Sequence, residues 1–152
     1  MKSIRTFIIS LISVVIIFMS CTKEETELAN KLNGTWKVVS YNDLILKTSV
    51  TKNSSNTWTD FNNGDVSVSF NNSSSTRGTI SGLKVTNQFS GEYLIINENQ
   101  INIGNLITTE INEPQWAIMF HQIEKAESFN ISGRILTIFY NQNKNSITLE
   151  KE

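Results

Sequence analysis

The side chains able to carry chemistry are few. His121 is the only histidine. It follows Phe120 on what reads as the buried stripe of a helix, so it falls at the edge of that stripe, half in solvent. A Ser–His dyad needs a third group placed to orient the imidazole, and nothing in the sequence marks one. Glu110 with Glu113, and Glu124 with Glu127, are two carboxylate pairs. The first stands near the start of the helix, where negative charge complements the dipole, and the second is interleaved with Lys125. Both pairs read as solvated faces. Asp60-Phe61-Asn62-Asn63-Gly64-Asp65 has the oxygens of a calcium loop, but an EF-hand needs glycine sixth and glutamate twelfth. Counting from Asp60 puts Gly64 fifth and Asn71 twelfth. With one histidine and one cysteine, a zinc site lacks ligands. The expectation is no catalytic set, no metal and no cofactor: the chain reads as non-enzymatic.

That cysteine, Cys21, ends the apolar run Phe7 to Met19, behind Lys2 and Arg5 and next to the small residue Ser20. A basic start, a short apolar run and a small-residue cleavage site are the three parts of a secretory signal. The run is shorter than the roughly 20 apolar residues of a membrane span. The layout resembles a bacterial lipoprotein signal, in which a peptidase cuts before the cysteine and acyl chains are attached to it, although Phe18 stands where leucine is usual. Lys23-Glu24-Glu25 behind it resembles the surface-export signal of Bacteroidetes lipoproteins. The expected organisation is a signal peptide over residues 1–20, a lipidated cysteine and tether over 21–32, and one β domain over 33–152. The expected location is the outer membrane, lipid-anchored through Cys21, on the cell-surface side if the export signal acts and on the periplasmic face otherwise.

Loss of Lys2 and Arg5 with the signal takes the formal charge from −1 to −3. No basic patch marks a nucleic-acid partner. Threonine suits strands, and asparagine and serine suit the turns between them. Strand alternation runs through GTWKVVSY from Gly34, with Trp36 and Val38 on one face and Lys37, Val39 and Tyr41 on the other. Leu44 to Thr51 is a second strand candidate. Asn63-Gly64 between Trp58–Phe61 and Val66–Phe70 predicts a hairpin, because both turn residues tolerate positive φ. Strands resume at Thr79–Val85, Gln88–Ile96, Gln100–Ile103 and Leu106–Thr108, with Gly82 and Gly91 marking bulges or close backbone approaches. One helix interrupts them. Asn112 can cap it, and Trp116, Met119, Phe120 and Ile123 form one apolar stripe. Ser128–Ile131, Ile135–Tyr140 and Ser146–Leu149 finish the chain. The predicted fold is mainly β (α+β): a small antiparallel barrel or strongly curved sheet of about eight strands, with one amphipathic helix packed on or in it.

Asn87-Gln88-Phe89-Ser90-Gly91-Glu92-Tyr93 resembles the N-x-x-S-G-x-Y segment of the META domain family of bacterial envelope proteins. Gln100 to Gly104, Thr108-Thr109, the helix and the closing strand pair keep that family's order, and GTWKVVSY also fits. The resemblance covers roughly Leu32 to Lys151 and implies structural roles for Gly34, Trp36, Asn87, Gly91, Tyr93, Gly104 and Thr109. It implies a fold and an envelope or stress-related interaction module rather than a reaction. Thr86 and, approximately, Asn112 stand where the family often has cysteines, so no redox role carries over. Gly34-Thr35-Trp36 also resembles the G-x-W that opens the lipocalins, which would imply a carrier of a small apolar ligand. The expected partners are a membrane, through acyl chains on Cys21, and either another envelope protein or a small apolar ligand.

Overall fold

Alternation of Trp36 and Val38 with Lys37 and Val39 builds β1 (Gly34–Asp43), the strand around which the sheet is ordered. The computed structural model describes residues 29–152. Cys21 and the Lys23-Glu24-Glu25 signal lie outside them. After β1 come β2 (Thr48–Val50), β3 (Ser67–Asn72), β4 (Arg77–Leu83), β5 (Gln88–Ile95), β6 (Ile101–Ile103) and β7 (Ile107–Thr108). Helix α1 (Gln115–Met119) continues into a 3-10 turn, Phe120–Lys125, and β8 (Ala126–Ser132), β9 (Ile135–Tyr140) and β10 (Asn145–Lys151) close the chain. All strand pairs are antiparallel, in the order β6-β5-β4-β3-β1-β10-β9-β8, with β2 added to β1 and β7 to β5. The two ends of that order meet. Gln100 bridges Ser128, and the Phe129 amide donates to the Asn99 carbonyl at 2.8 Å. Among the described residues the result is a nearly closed eight-stranded barrel with the short helix α1 packed in it, as the sequence predicts. Closure removes the free edges that an open sheet of this length would expose.

The interior is filled. Trp36, Phe70, Trp116 and Phe120 are fully buried there with Ile80, Leu136, Ile138 and Ile147. One end of the barrel carries the β1–β2 tip, the β4–β5 and β9–β10 turns and residues 109–125, and α1 stoppers it. Its stripe of Trp116, Phe120 and Ile123 points inward, and the Phe120 ring lies 5.2 Å from that of Phe89. The other end is stoppered by a helical turn at residues 29–32, with Ala29 and Leu32 buried. The Trp36 indole N–H donates to the Leu32 carbonyl at 2.8 Å and anchors that turn. Residues 29–32, which the sequence assigns to the tether, thus belong to the barrel.

Four local expectations fail for tertiary reasons. The first is the strand candidate Leu44 to Thr51: Leu44–Lys47 turns, with the Leu44 amide donating to the Lys144 carbonyl, and only Thr48–Val50 is strand. A bulge between Val38 and Ser40 shifts the register against β10 and reverses the alternation, so Tyr41 points inward, not outward. Asn63 and Gly64 do adopt positive φ (52° and 71°), but Trp58–Phe61 is a turn segment rather than a strand, so no hairpin forms. Instead Gly64 lies under Thr57, whose hydroxyl donates to the Gly64 carbonyl at 3.0 Å. A Cβ on Gly64 would stand 2.6 Å from the Thr57 methyl. The helix begins at Gln115 with Pro114 as its cap residue and no side-chain cap. Asn112 is exposed and uncommitted to the helix, because Glu113 behind it turns inward. The Trp116 amide donates to the Asn56 carbonyl at 2.9 Å.

Candidate functional site

The polar groups of the barrel converge where α1 meets the β4–β5 turn. In β4 the buried positions are Gly78 and Ile80, and the same alternation carries inward past the strand's end to Lys84. The Lys84 side chain is 3 % exposed, and its ammonium lies 3.1 Å from Glu113 Oε2, a carboxylate 6 % exposed. His121, on the 3-10 turn, reaches over both. Its Nε2 is 3.1 Å from Lys84 Nζ and 3.8 Å from Glu113 Oε2, and its ring is 44 % exposed. Glu113 Oε1 and Trp116 Nε1 are buried without a hydrogen-bond partner. Tyr41 reaches this region from β1, its hydroxyl donating to the Trp116 carbonyl at 2.9 Å. Burial pushes the Tyr41 phenol well above its ordinary pKa, and Tyr140 and Glu113 nearby disfavour its phenolate further. The cluster ties the plug to the β4–β5 turn by a buried ion pair. The Lys84 amine faces a carboxylate and an imidazole, an arrangement that holds a charge in place.

Beside it Asn87, 2 % exposed, pins the segment that leads into the helix. Its Oδ1 accepts from the Ile111 amide at 2.8 Å and the Thr109 hydroxyl at 2.9 Å, while its Nδ2 donates to the Ile111 carbonyl at 2.7 Å. Asn87 and Thr109, two of the residues named from the META resemblance, therefore meet. The others are dispersed. Gly34 opens β1 at φ 124°, Trp36 fills the core, and Gly91 packs under the Leu106 methyl. The Tyr93 hydroxyl donates to Asn72 Oδ1 at 2.6 Å at the far end, and the Gly104 amide donates to the Glu92 carbonyl.

The carboxylate pairs separate. Glu110 is exposed, while Glu113, expected on a solvated face, is the buried partner of Lys84. Glu124 Oε1 accepts from the Leu106 amide, and the Glu127 carboxylate accepts from the Gln142 and Asn143 amides. Both are therefore turn anchors, since loop amides without a ladder partner need an acceptor. Sequence reading passed over Lys84, although its parity with Ile80 is the signal that it points inward. Outside the barrel, an open groove of about 570 Å3 runs along Ser81, Leu83, Gln88, Ser90, Ile107 and Thr108. Its lining is neutral.

The barrel resembles that of a DUF4847 family protein from Bacteroides vulgatus ATCC 8482, known from a crystal structure at 1.00 Å resolution. The TM-score is 0.58 at 16 % identity, over 80 % of this chain and 94 % of that one. At that identity the likeness is one of fold. No family model matches this chain, that of the META domain included, and no curated protein is similar to it.

Proposed function

We propose that this protein is a lipoprotein of the outer membrane, anchored through acyl chains on Cys21, and that its barrel is a non-enzymatic module acting through its surface on another envelope component. The filled interior carries the reading. A carrier of the lipocalin kind needs a mostly apolar cavity of about 300 Å3 or more. Here Trp36, Phe70, Trp116 and Phe120 occupy the centre, with α1 and residues 29–32 across its two ends. The buried Lys84–Glu113 pair supports a structural rather than a catalytic use of the polar groups. The finer, META-like assignment rests on the Asn87–Tyr93 motif and the element order around it. The lipidation reading rests on the apolar run that ends at the sole cysteine, and the cell-surface side on Lys23-Glu24-Glu25.

The test joins three measurements. Cys21→Ala should abolish acyl labelling and leave unprocessed precursor. An unmodified cysteine in the intact mass of the mature protein would refute the anchor. Protease added to intact cells should remove the domain, and alanine at residues 23–25 should protect it; equal protection of both forms would put the domain on the periplasmic face. An apolar fluorescent probe should gain no saturable signal with the protein. Stoichiometric uptake reversed by Phe120→Trp would restore the carrier.

A further inference from the structure

Two Asn-Gly pairs occur in the chain, Asn33-Gly34 and Asn63-Gly64. Such a pair can react with itself. The glycine nitrogen attacks the asparagine Cγ, the new C–N bond closes a succinimide ring, and the side-chain nitrogen leaves as ammonia. Water then opens the ring at either carbonyl to give aspartate or isoaspartate. The sum is an amide hydrolysed to an acid, and no oxidant or reductant takes part. Glycine favours closure because no Cβ hinders its nitrogen. The Asn-Ser pairs, Asn53-Ser54, Asn72-Ser73 and Asn145-Ser146, are the next candidates.

The fold sorts these pairs. Ring closure needs a side chain free to swing onto the next nitrogen, so every hydrogen bond it makes must first be given up. Asn53 Oδ1 accepts from the Ser55 amide at 2.9 Å, Asn72 Oδ1 from the Tyr93 hydroxyl at 2.6 Å, and Asn145 Oδ1 from the Asn141 side chain at 2.8 Å. Asn33 Oδ1 accepts from the Asn72 amide at 3.3 Å. Its carbonyl holds the Lys151 ammonium at 3.0 Å, and Gly34 is paired with Phe70 in the sheet. Asn63 is exposed, and among the described residues its side-chain amide bonds to no protein group; only its carbonyl is engaged, by Lys52. The Gly64 amide donates to the Phe61 carbonyl at 2.7 Å, across a turn whose other residues, Phe61 to Asn63, are exposed. The pair is built into the turn, since Gly64 sits at φ 71° with no room for a Cβ under Thr57. The same contact transmits the product. Isoaspartate routes the main chain through the former side chain and adds one carbon between the Cα of residue 63 and the Gly64 nitrogen. Gly64 then shifts against Thr57, whose hydroxyl donates to its carbonyl and which leads directly into the exposed Trp58. A carboxylate also appears beside Lys52, which already pairs with Asp65.

We infer that Asn63 is a self-modification site, converting with age to isoaspartate and aspartate, and that this conversion loosens the loop over residues 51–66. The full chain is kept in warm, mildly alkaline buffer and sampled by peptide mapping, with isoaspartyl methyltransferase labelling the isoaspartate. The Asn63 peptide should gain the mass of an amide turned to an acid at least about tenfold faster than the Asn33 peptide, because Asn33 must first break the additional hydrogen bonds that hold it. In concentrated urea the two rates should converge, since the local sequence is the same and the fold is gone. Asn63→Gln, whose longer side chain closes the ring poorly, should stay unlabelled at 63. A protease should cut the aged native chain within residues 51–66 sooner than Asn63→Gln aged alike. Asn33 converting as fast as Asn63 in the folded chain would overturn the site. So would an unchanged Asn63 over the time in which the urea-treated chain converts. Equal cleavage of the two aged chains would overturn the loosening.

Discussion

Replacing Lys84 by methionine keeps most of the side-chain volume and removes the ammonium that, among the described residues, pairs with Glu113. The carboxylate would remain 6 % exposed, with one oxygen already unpartnered and His121 Nε2 3.8 Å from the other. Water cannot reach it well enough to restore its solvation. Breaking a buried pair from one side costs about 3–5 kcal/mol. The half-exposed imidazole offers partial relief, so about 3 kcal/mol is expected. With a urea m-value of about 2 kcal/mol per molar for a domain of this size, the unfolding midpoint should fall by about 1.5 M. Trp36 and Trp116 are fully buried, so tryptophan emission follows the transition directly. The double variant Lys84→Met with Glu113→Leu removes both charges and should recover to within about 1 kcal/mol of the native chain or exceed it. Lys84→Met within about 1 kcal/mol of native, or a double variant no better than the single one, would refute the buried-pair account.

Phe120→Ala should cost about 3–5 kcal/mol, because a fully buried ring leaves a cavity between α1 and Phe89. His121→Ala, at the exposed edge of the same turn, should cost less than about 1 kcal/mol; thermal melts compare the two. Asn87→Ala strands the Ile111 amide and carbonyl and the Thr109 hydroxyl. It should cost about 1–3 kcal/mol and speed hydrogen exchange at Ile111. Asp65 tests the acid limb. Burial disfavours its carboxylate, but hydrogen bonds and charge from Lys52 and Lys37 outweigh that and hold its pKa below the usual 3.8. A depressed folded-state pKa contributes stability above 3.8 that is lost as pH falls through the lower folded value. Asp65→Asn should therefore be less stable than the native chain at neutral pH, and the gap should close with acid. A constant gap across that range in urea midpoints would remove Asp65 as a contributor.

The β class, most strand runs and helix α1 were legible because alternation and the i, i+3, i+4, i+7 stripe are properties of nearby residues. Trp36, Val38, Trp116, Phe120 and Ile123 lie where those periods put them. The Asn63-Gly64 pair shows where local reading ends. Its positive φ angles follow from residue type, but whether it closes a hairpin depends on Thr57 packing over Gly64. Strand alternation alone puts Tyr41 on the outer face; the bulge that turns it inward is set by the register of β1 on β10, strands about a hundred residues apart in sequence. Glu113 read as a solvated acid because its partner, Lys84, comes from another turn of the barrel. Ion pairs, bulge positions and barrel closure depend on which distant segments become neighbours. Until the chain folds, Lys84 and Glu113 are two ordinary charges in water. The barrel turns them into a pair by excluding that water from both.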